Sequence, residues 1–389
     1  MKAQFLCPCI VLALVAVCGI VAQTKEKTPE QKLAVLGRQA EKGNARAEAG
    51  LGQMYETGQG VPQNYEQAAA WYRKAADQGD GLGEQSLGLL YDSGHGLPQD
   101  YAQAAYWYHL AADQGYAIAE QNLGILYEHA ESVPQDYAQA AYWYSRAADQ
   151  GLPIAQENLG SLYVTGQGVP QDYAQAADWL RKAAIQADAE AQVKLGMLYD
   201  NGQGVSQNFV QAVFLYRKAA DLGSAKAEYK LGWHYANGQG VPQDYAQAAD
   251  WYRKAAEKSD ANAQRSLGEV YECGGPAKAA DVSGGGKLEV KVAGGTACQK
   301  DEGQAAKWFR KAAEQGDADA QNDLGLLYDA GLGVPQDYAE AYFWYSLASA
   351  KKTQYIENRQ NAASKLTTTT LLQTQERARK WFEDHPAKP

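Results

Sequence analysis

Residues 224–259 read SAKAEYKLGWHYANGQGVPQDYAQAADWYRKAAEKS, and the fold follows from this stretch. Ser224 opens a helix in which Ala227, Leu231 and Tyr235 recur at helical spacing. Asn237-Gly238-Gln239-Gly240 ends it, because glycine takes the left-handed conformation that closes a helix. Pro242 suits the approach to a second helix but not the continuation of the first. The Asp244 carboxylate is placed to accept from the unpaired amides of that second helix. Ala248, Trp251, Tyr252, Ala255 and Ala256 then give it an apolar stripe. The stretch therefore predicts two short helices joined by a tight loop.

The same pattern runs down the chain. L-G-x-x-Y begins at Leu51, Leu87, Leu123, Leu159, Leu195, Leu231 and Leu267, always 36 residues apart. An eighth copy begins at Leu324, 57 residues on, which is one period plus an insertion of 21. The second-helix cap recurs as Asn64, Asp100, Asp136, Asp172, Asn208, Asp301 and Asp337. A helix-interior glycine costs about 1 kcal/mol against alanine, so a glycine repeated in every motif implies close approach of the partner helix. The tryptophans at 71, 107, 143, 179, 251, 308 and 344, with Leu215 in the remaining repeat, read as core, as do the Leu and Tyr of the motif. A lone helix pair cannot bury its apolar face, whereas stacked neighbours can.

These residues resemble the Sel1-like repeat family, a relative of the tetratricopeptide repeat. The match lies in A-x-x-x-L-G-x-x-Y followed by G-x-G-V-P-Q-D-Y-x-x-A-x-x-W-Y-x-x-A-A, nearly whole from Ala227 to Ala256, and covers about residues 28 to 350. The resemblance implies an all-α, right-handed α-α superhelical solenoid of about eight helix pairs, and the role of an adaptor or scaffold. Repeat three departs from the pattern with Ala130 and Ser132 in its loop, and repeat five with Ser206 and Leu215. Ala187 and Ser259 replace the glycine that ends the second helix. Residues 23–43 read as an N-terminal capping helix, 44–350 as the repeats, and 351–389 as two capping helices with a short tail.

The first 22 residues read as a signal peptide: Lys2, an apolar run from Phe5 to Ala22, then polar residues. An exported protein, periplasmic or secreted, is expected. The alternatives are an uncleaved anchor and, more weakly, lipid attachment at Cys18. No other stretch is apolar enough to span a bilayer. Once the leader is removed, Cys273 and Cys298 remain, and in an exported protein they read as one disulfide. They bracket the insertion of about 273–298, within which residues 287–292 alternate as a strand would. A loop of this length is either functional or simply tolerated.

A net charge of −10 argues against a nucleic-acid partner, because binding phosphates needs a basic face. Among the five histidines none has a metal-ligand spacing, and the G-x-G pairs recur with the repeat rather than form a nucleotide fingerprint. No enzyme activity, cofactor or metal is expected. The family suggests one alternative: cysteine-rich relatives are credited with β-lactam- or peptidoglycan-related activity, but they carry a disulfide in each repeat and this sequence does not. The expected function is binding of a protein or peptide partner. The residues two before and two after the motif Leu vary between copies, which marks positions freed from packing. Among them Leu89, Ile125, Met197, Tyr229 and Trp233 predict an apolar trough flanked by Asp92, Glu128 and Asp200. A second patch, Tyr106, His109 and Tyr142, reads as convex surface or as a further contact.

Overall fold

In the computed structural model, each repeat is a pair of 13-residue helices, and the loop chemistry explains the pairing. The first helix ends on a residue in the left-handed region, as at Gly238 with φ 66°. The second loop glycine, two residues on, has no room for a side chain. A Cβ on Gly96, Gly204, Gly240 or Gly333 would strike the backbone at the start of the preceding repeat's second helix. The glutamine of the V-P-Q-D-Y segment closes the loop. Gln243 Nε2 donates to the Ala236 carbonyl and to the Tyr245 hydroxyl, both at 2.8 Å. The cap residue then does two things: Asp244 N–H donates to the Tyr235 carbonyl at 2.9 Å, and its carboxylate accepts from Gln247 N–H at 3.0 Å. Every predicted cap from Asn64 to Asp337 receives such an amide.

The structure describes residues 28–130, 133–273 and 300–385, and the chain divides into two compact units, 1–135 and 136–389. The first holds α1 (Pro29–Ala40), α2 (Ala45–Thr57), α3 (Tyr65–Asp77), α4 (Gly81–Ser93), α5 (Tyr101–Asp113) and α6 (Ala117–His129). The second holds α7 (Tyr137–Asp149), α8 (Pro153–Thr165), α9 (Tyr173–Ile185), α10 (Ala189–Asn201), α11 (Phe209–Asp221), α12 (Ala225–Asn237) and α13 (Tyr245–Glu257). It continues with α14 (Ala261–Cys273), α15 (Glu302–Glu314), α16 (Ala318–Ala330), α17 (Tyr338–Lys351), α18 (Ile356–Ser364) and α19 (Thr368–Asp384). Within each unit every helix up to α17 packs on the next in sequence. The expected all-α solenoid of helix pairs is the architecture of each, and no strand occurs among the described residues.

Burial refines the expected core. The motif leucines are buried, Leu87, Leu123, Leu231, Leu267 and Leu324 completely. The deepest aromatic column is the position after the Trp column, with Tyr72, Tyr108, Tyr144, Phe309 and, after Leu215, Tyr216; Leu180 takes this place in repeat four. These rings sit against the motif glycine of the paired helix. A methyl group at Gly232 would lie 2.5 Å from the Tyr252 ring, and at Gly52 2.6 Å from Tyr72. The glycine thus makes room for a ring rather than for a helix backbone. Trp107, Trp143, Trp308 and Trp344 are buried. Trp71, Trp179 and Trp251 are half-buried, each with a lysine ammonium over its ring (Lys74, Lys182, Lys254).

The motif tyrosines, expected as core, are mostly half-buried, with Tyr235 and Tyr328 the buried ones. Their hydroxyls face outward to a partner 18 residues earlier on the preceding second helix: Arg73 with Tyr91, His109 with Tyr127, Arg217 with Tyr235, Arg253 with Tyr271 and Arg310 with Tyr328. A second set of rungs joins consecutive repeats. Gln114 donates to Glu84 and to the Gly79 carbonyl, and Lys258 to Glu228 and the Gly223 carbonyl.

The insertion leaves the repeat's neck intact. Asp301 N–H donates to the Tyr271 carbonyl at 2.8 Å, the bond that Asp244 makes to Tyr235. The expected disulfide of Cys298, the strand at 287–292 and the leader lie outside the described residues. At the C-terminal end α18 and α19 both pack on α17. Thr367 caps α19 through the Thr370 amide, and Ala362, Thr374 and Ala378 are buried there.

Candidate functional site

The predicted variable pairs separate into two classes. The residue two before the motif Leu packs inward: Ala49, Gln85, Glu157, Val193 and Asn322 are buried. Tyr229 belongs with them, half-buried with its ring 5.7 Å from that of Tyr252. Tyr229 meets the second helix α13 and Val193 packs with side chains of α11 and α12, so variation at this position reflects alternative packing rather than exposure. Its expectation as a free surface position is therefore corrected. The residue two after the Leu is at the surface, with Met197 39% exposed, Trp233 37% and Leu326 43%. Leu89 and Ile125 are half-buried on α4 and α6 of the first unit.

In the second unit two adjoining clefts open on the first-helix face. The cleft between α8 and α10 has a volume of about 440 Å³ and is lined by Val164, Val193, Met197 and Leu198, with Ser161 and Lys194 at its edge. Its charges are paired: Lys194 with Glu157, and Lys226 with Glu190 at 2.7 Å. The cleft between α10 and α12, about 370 Å³, is lined by Phe209, Tyr229, Trp233, Asp200 and Gln239. Asn201 lines both. Thus Met197 and Trp233, one repeat apart in register, stand beside neighbouring clefts.

The flanking acids are not free rim charges. Asp92 accepts from the Tyr108 hydroxyl at 2.9 Å and Asp200 from the Tyr216 hydroxyl at 2.7 Å. Burial first, and then the neighbouring carboxylate, push both tyrosine pKa values far up, so these phenols stay protonated donors. In the second patch Tyr106 and Tyr142 are exposed, each edge-on to the adjacent Trp107 or Trp143. They belong to different units. His109 is half-buried against Tyr127, and burial lowers its pKa despite the nearby Asp113.

Sequence reasoning missed His234. It is fully buried, with Nδ1 2.8 Å from the Gln239 carbonyl and Nε2 3.1 Å from the Asp200 carboxylate. Its signal was readable, because the other seven repeats place Leu, Met or Val there. Among the described residues no group of three or more His, Cys, Asp or Glu is arranged to hold a metal ion. No described helix is long and apolar enough to cross a membrane.

A solenoid of stacked helix pairs, with side-chain variation concentrated on the first-helix face, defines the class of helical-repeat scaffolds. The chain belongs to the Sel1 repeat family. The family model matches residues 45–80, 83–116, 117–152, 153–188, 189–224, 225–260, 293–317 and 318–352. The chain is similar to a protective antigen of uropathogenic Escherichia coli displaying the SLR fold: 31% identity, 92% of this chain and 88% of the antigen covered, TM-score 0.60. It is equally similar to a Sel1 repeat protein from Oxalobacter formigenes, at 31% identity over 85% of this chain and 93% of that one, TM-score 0.60. No curated protein matches it. Repeat scaffolds of this family typically mediate protein–protein interaction.

Proposed function

We propose that this protein is a binding scaffold of an exported compartment, periplasmic or secreted, and that the first-helix face of repeats four to six holds a segment of a partner protein. The observation that carries the reading is the exposure of Met197 and Trp233 at the same register position of adjacent repeats, the first beside an apolar cleft and the second beside one that mixes aromatic and polar side chains. Large apolar side chains kept at a surface, next to concavities, are what a peptide or partner helix needs for anchorage. The leader-like residues 1–22 support export.

Site-directed photo-crosslinking in the native host tests the reading. A photoreactive residue at position 197 is expected to capture a discrete partner, and one at 142 on a second helix is not. Trp233→Ala is expected to weaken capture while thermal melting stays nearly unchanged. Equal capture from both positions, or a melting loss of several kcal/mol in Trp233→Ala, would count against it. Fractionation of the host with an antibody to the repeats checks the compartment, and a cytoplasmic protein would end that part.

A further inference from the structure

Four positions around the α10–α12 cleft carry residues that no other repeat has at that place. Phe209 stands where six repeats have Tyr, His234 where the others have Leu, Met or Val, and Tyr229 and Trp233 are the aromatic members of columns that elsewhere hold aliphatic, polar or charged residues. Drift would scatter such changes over eight copies. Here they converge on one concavity: three of the four line it, and His234 lies beneath. The imidazole has the Trp233 ring edge-on at 5.2 Å, with Phe209 at 6.1 Å and Tyr216 at 5.5 Å.

Asp200 and Gln239 bring acceptor oxygens to this cleft. Asp200 Oδ2 accepts from Tyr216, whereas Asp200 Oδ1 and Gln239 Oε1, both buried, have no well-directed hydrogen bond. His234 Nε2 is within hydrogen-bond distance of Asp200 Oδ2, at 3.3 Å, and lies 3.1 Å from Oδ1, while Nδ1 is committed to the Gln239 carbonyl. A carboxylate accepts about four hydrogen bonds, so capacity remains. Aromatic walls around an acceptor floor are complementary to a cation that carries N–H donors: the ring faces attract it and the carboxylate bonds it. Lys230 lines the same cleft and opposes such a guest, so its ammonium must swing out when the guest enters.

We infer that the α10–α12 cleft receives a basic side chain of the partner, an arginine guanidinium packed on Trp233 and Tyr229 and bonded to Asp200. This rests on the partner-binding reading above and names the chemistry of its anchor. The planar fork of arginine matches a carboxylate edge and stacks on an indole, which a lysine ammonium does not.

The test uses the full chain and two probes, Nα-acetyl-arginine amide and its neutral isostere Nα-acetyl-citrulline amide, followed by the NMR signal of the Trp233 indole N–H, assigned with Trp233→Phe. Arginine amide is expected to shift that signal with an affinity about tenfold above citrulline amide. Asp200→Asn is expected to erase the preference. Lys230→Ala, at a half-buried surface position that leaves the fold intact, is expected to tighten arginine binding severalfold. Equal affinity for the two probes, an unmoved indole signal, or weaker binding in Lys230→Ala overturns the inference. If crosslinking at 197 persists while arginine fails, this inference alone falls. If arginine binds while crosslinking at 197 fails, the partner reading falls instead.

Discussion

A single methyl group decides the packing at the motif glycine. Gly232→Ala pushes a Cβ to 2.5 Å from the buried Tyr252 ring, which has nowhere to go, so denaturant unfolding is expected to show a loss of about 1–3 kcal/mol. Gly37→Ala in α1 meets nothing within 4 Å and is expected to gain up to about 1 kcal/mol. Titration is also a residue matter. Burial, reinforced by Glu269 and Glu272 against the bond from Asn322, lifts the Asp323 carboxyl from 3.8 to about 7. A raised folded-state value means that the folded chain holds a proton the unfolded chain has released. The associated stability is fully present below pH 4 and is lost as the pH rises through about 7. Melting at pH 5 and pH 8 is expected to differ less in Asp323→Asn than in the parent, and an unchanged difference would refute the assignment. The cap residues and loop glycines were legible in the sequence because their chemistry is local: a carboxylate meets amides two or three residues on. The Arg–Tyr rungs were not, because each joins residues 18 apart on helices of different repeats.

Helices end here by the rules their sequence announces, with informative exceptions. Ala187 and Ser259 sit where other repeats have glycine, and both adopt the glycine conformation, at φ 63° and 67°. An L-residue there costs roughly 1 kcal/mol or more, so Ser259→Gly is expected to raise the unfolding free energy by about 0.5–1 kcal/mol. No gain would mean that the Ser259 side chain compensates. The exposed column was half legible for a related reason. Variation between copies identified the positions on the first helix, but which of the two faces outward depends on the helices packed around it. That is why Val193 and Tyr229 are packed and Met197 and Trp233 are not. The deepest ring, the Tyr or Phe that follows the Trp column in most repeats, was hidden because both aromatics fall on the apolar stripe and only the glycine opposite selects between them.

For the molecule as a whole, the central claim is that each helix pair gains its stability from its sequence neighbours, so one period is the unit that can be added or removed. The insertion of 21 residues, which is no period, falls between paired helices and leaves the neck bond between Asp301 and Tyr271 in place. The direct measurement is a deletion of residues 189–224, one family repeat, compared with a deletion of residues 189–206, half of one. By circular dichroism and thermal melting, the 36-residue deletion should retain the parent's helicity per residue and a cooperative transition, because Leu231 inherits the register of Leu195. The half-repeat deletion should lose both in the second unit. A 36-residue deletion that unfolds as completely as the half-repeat deletion would contradict the account.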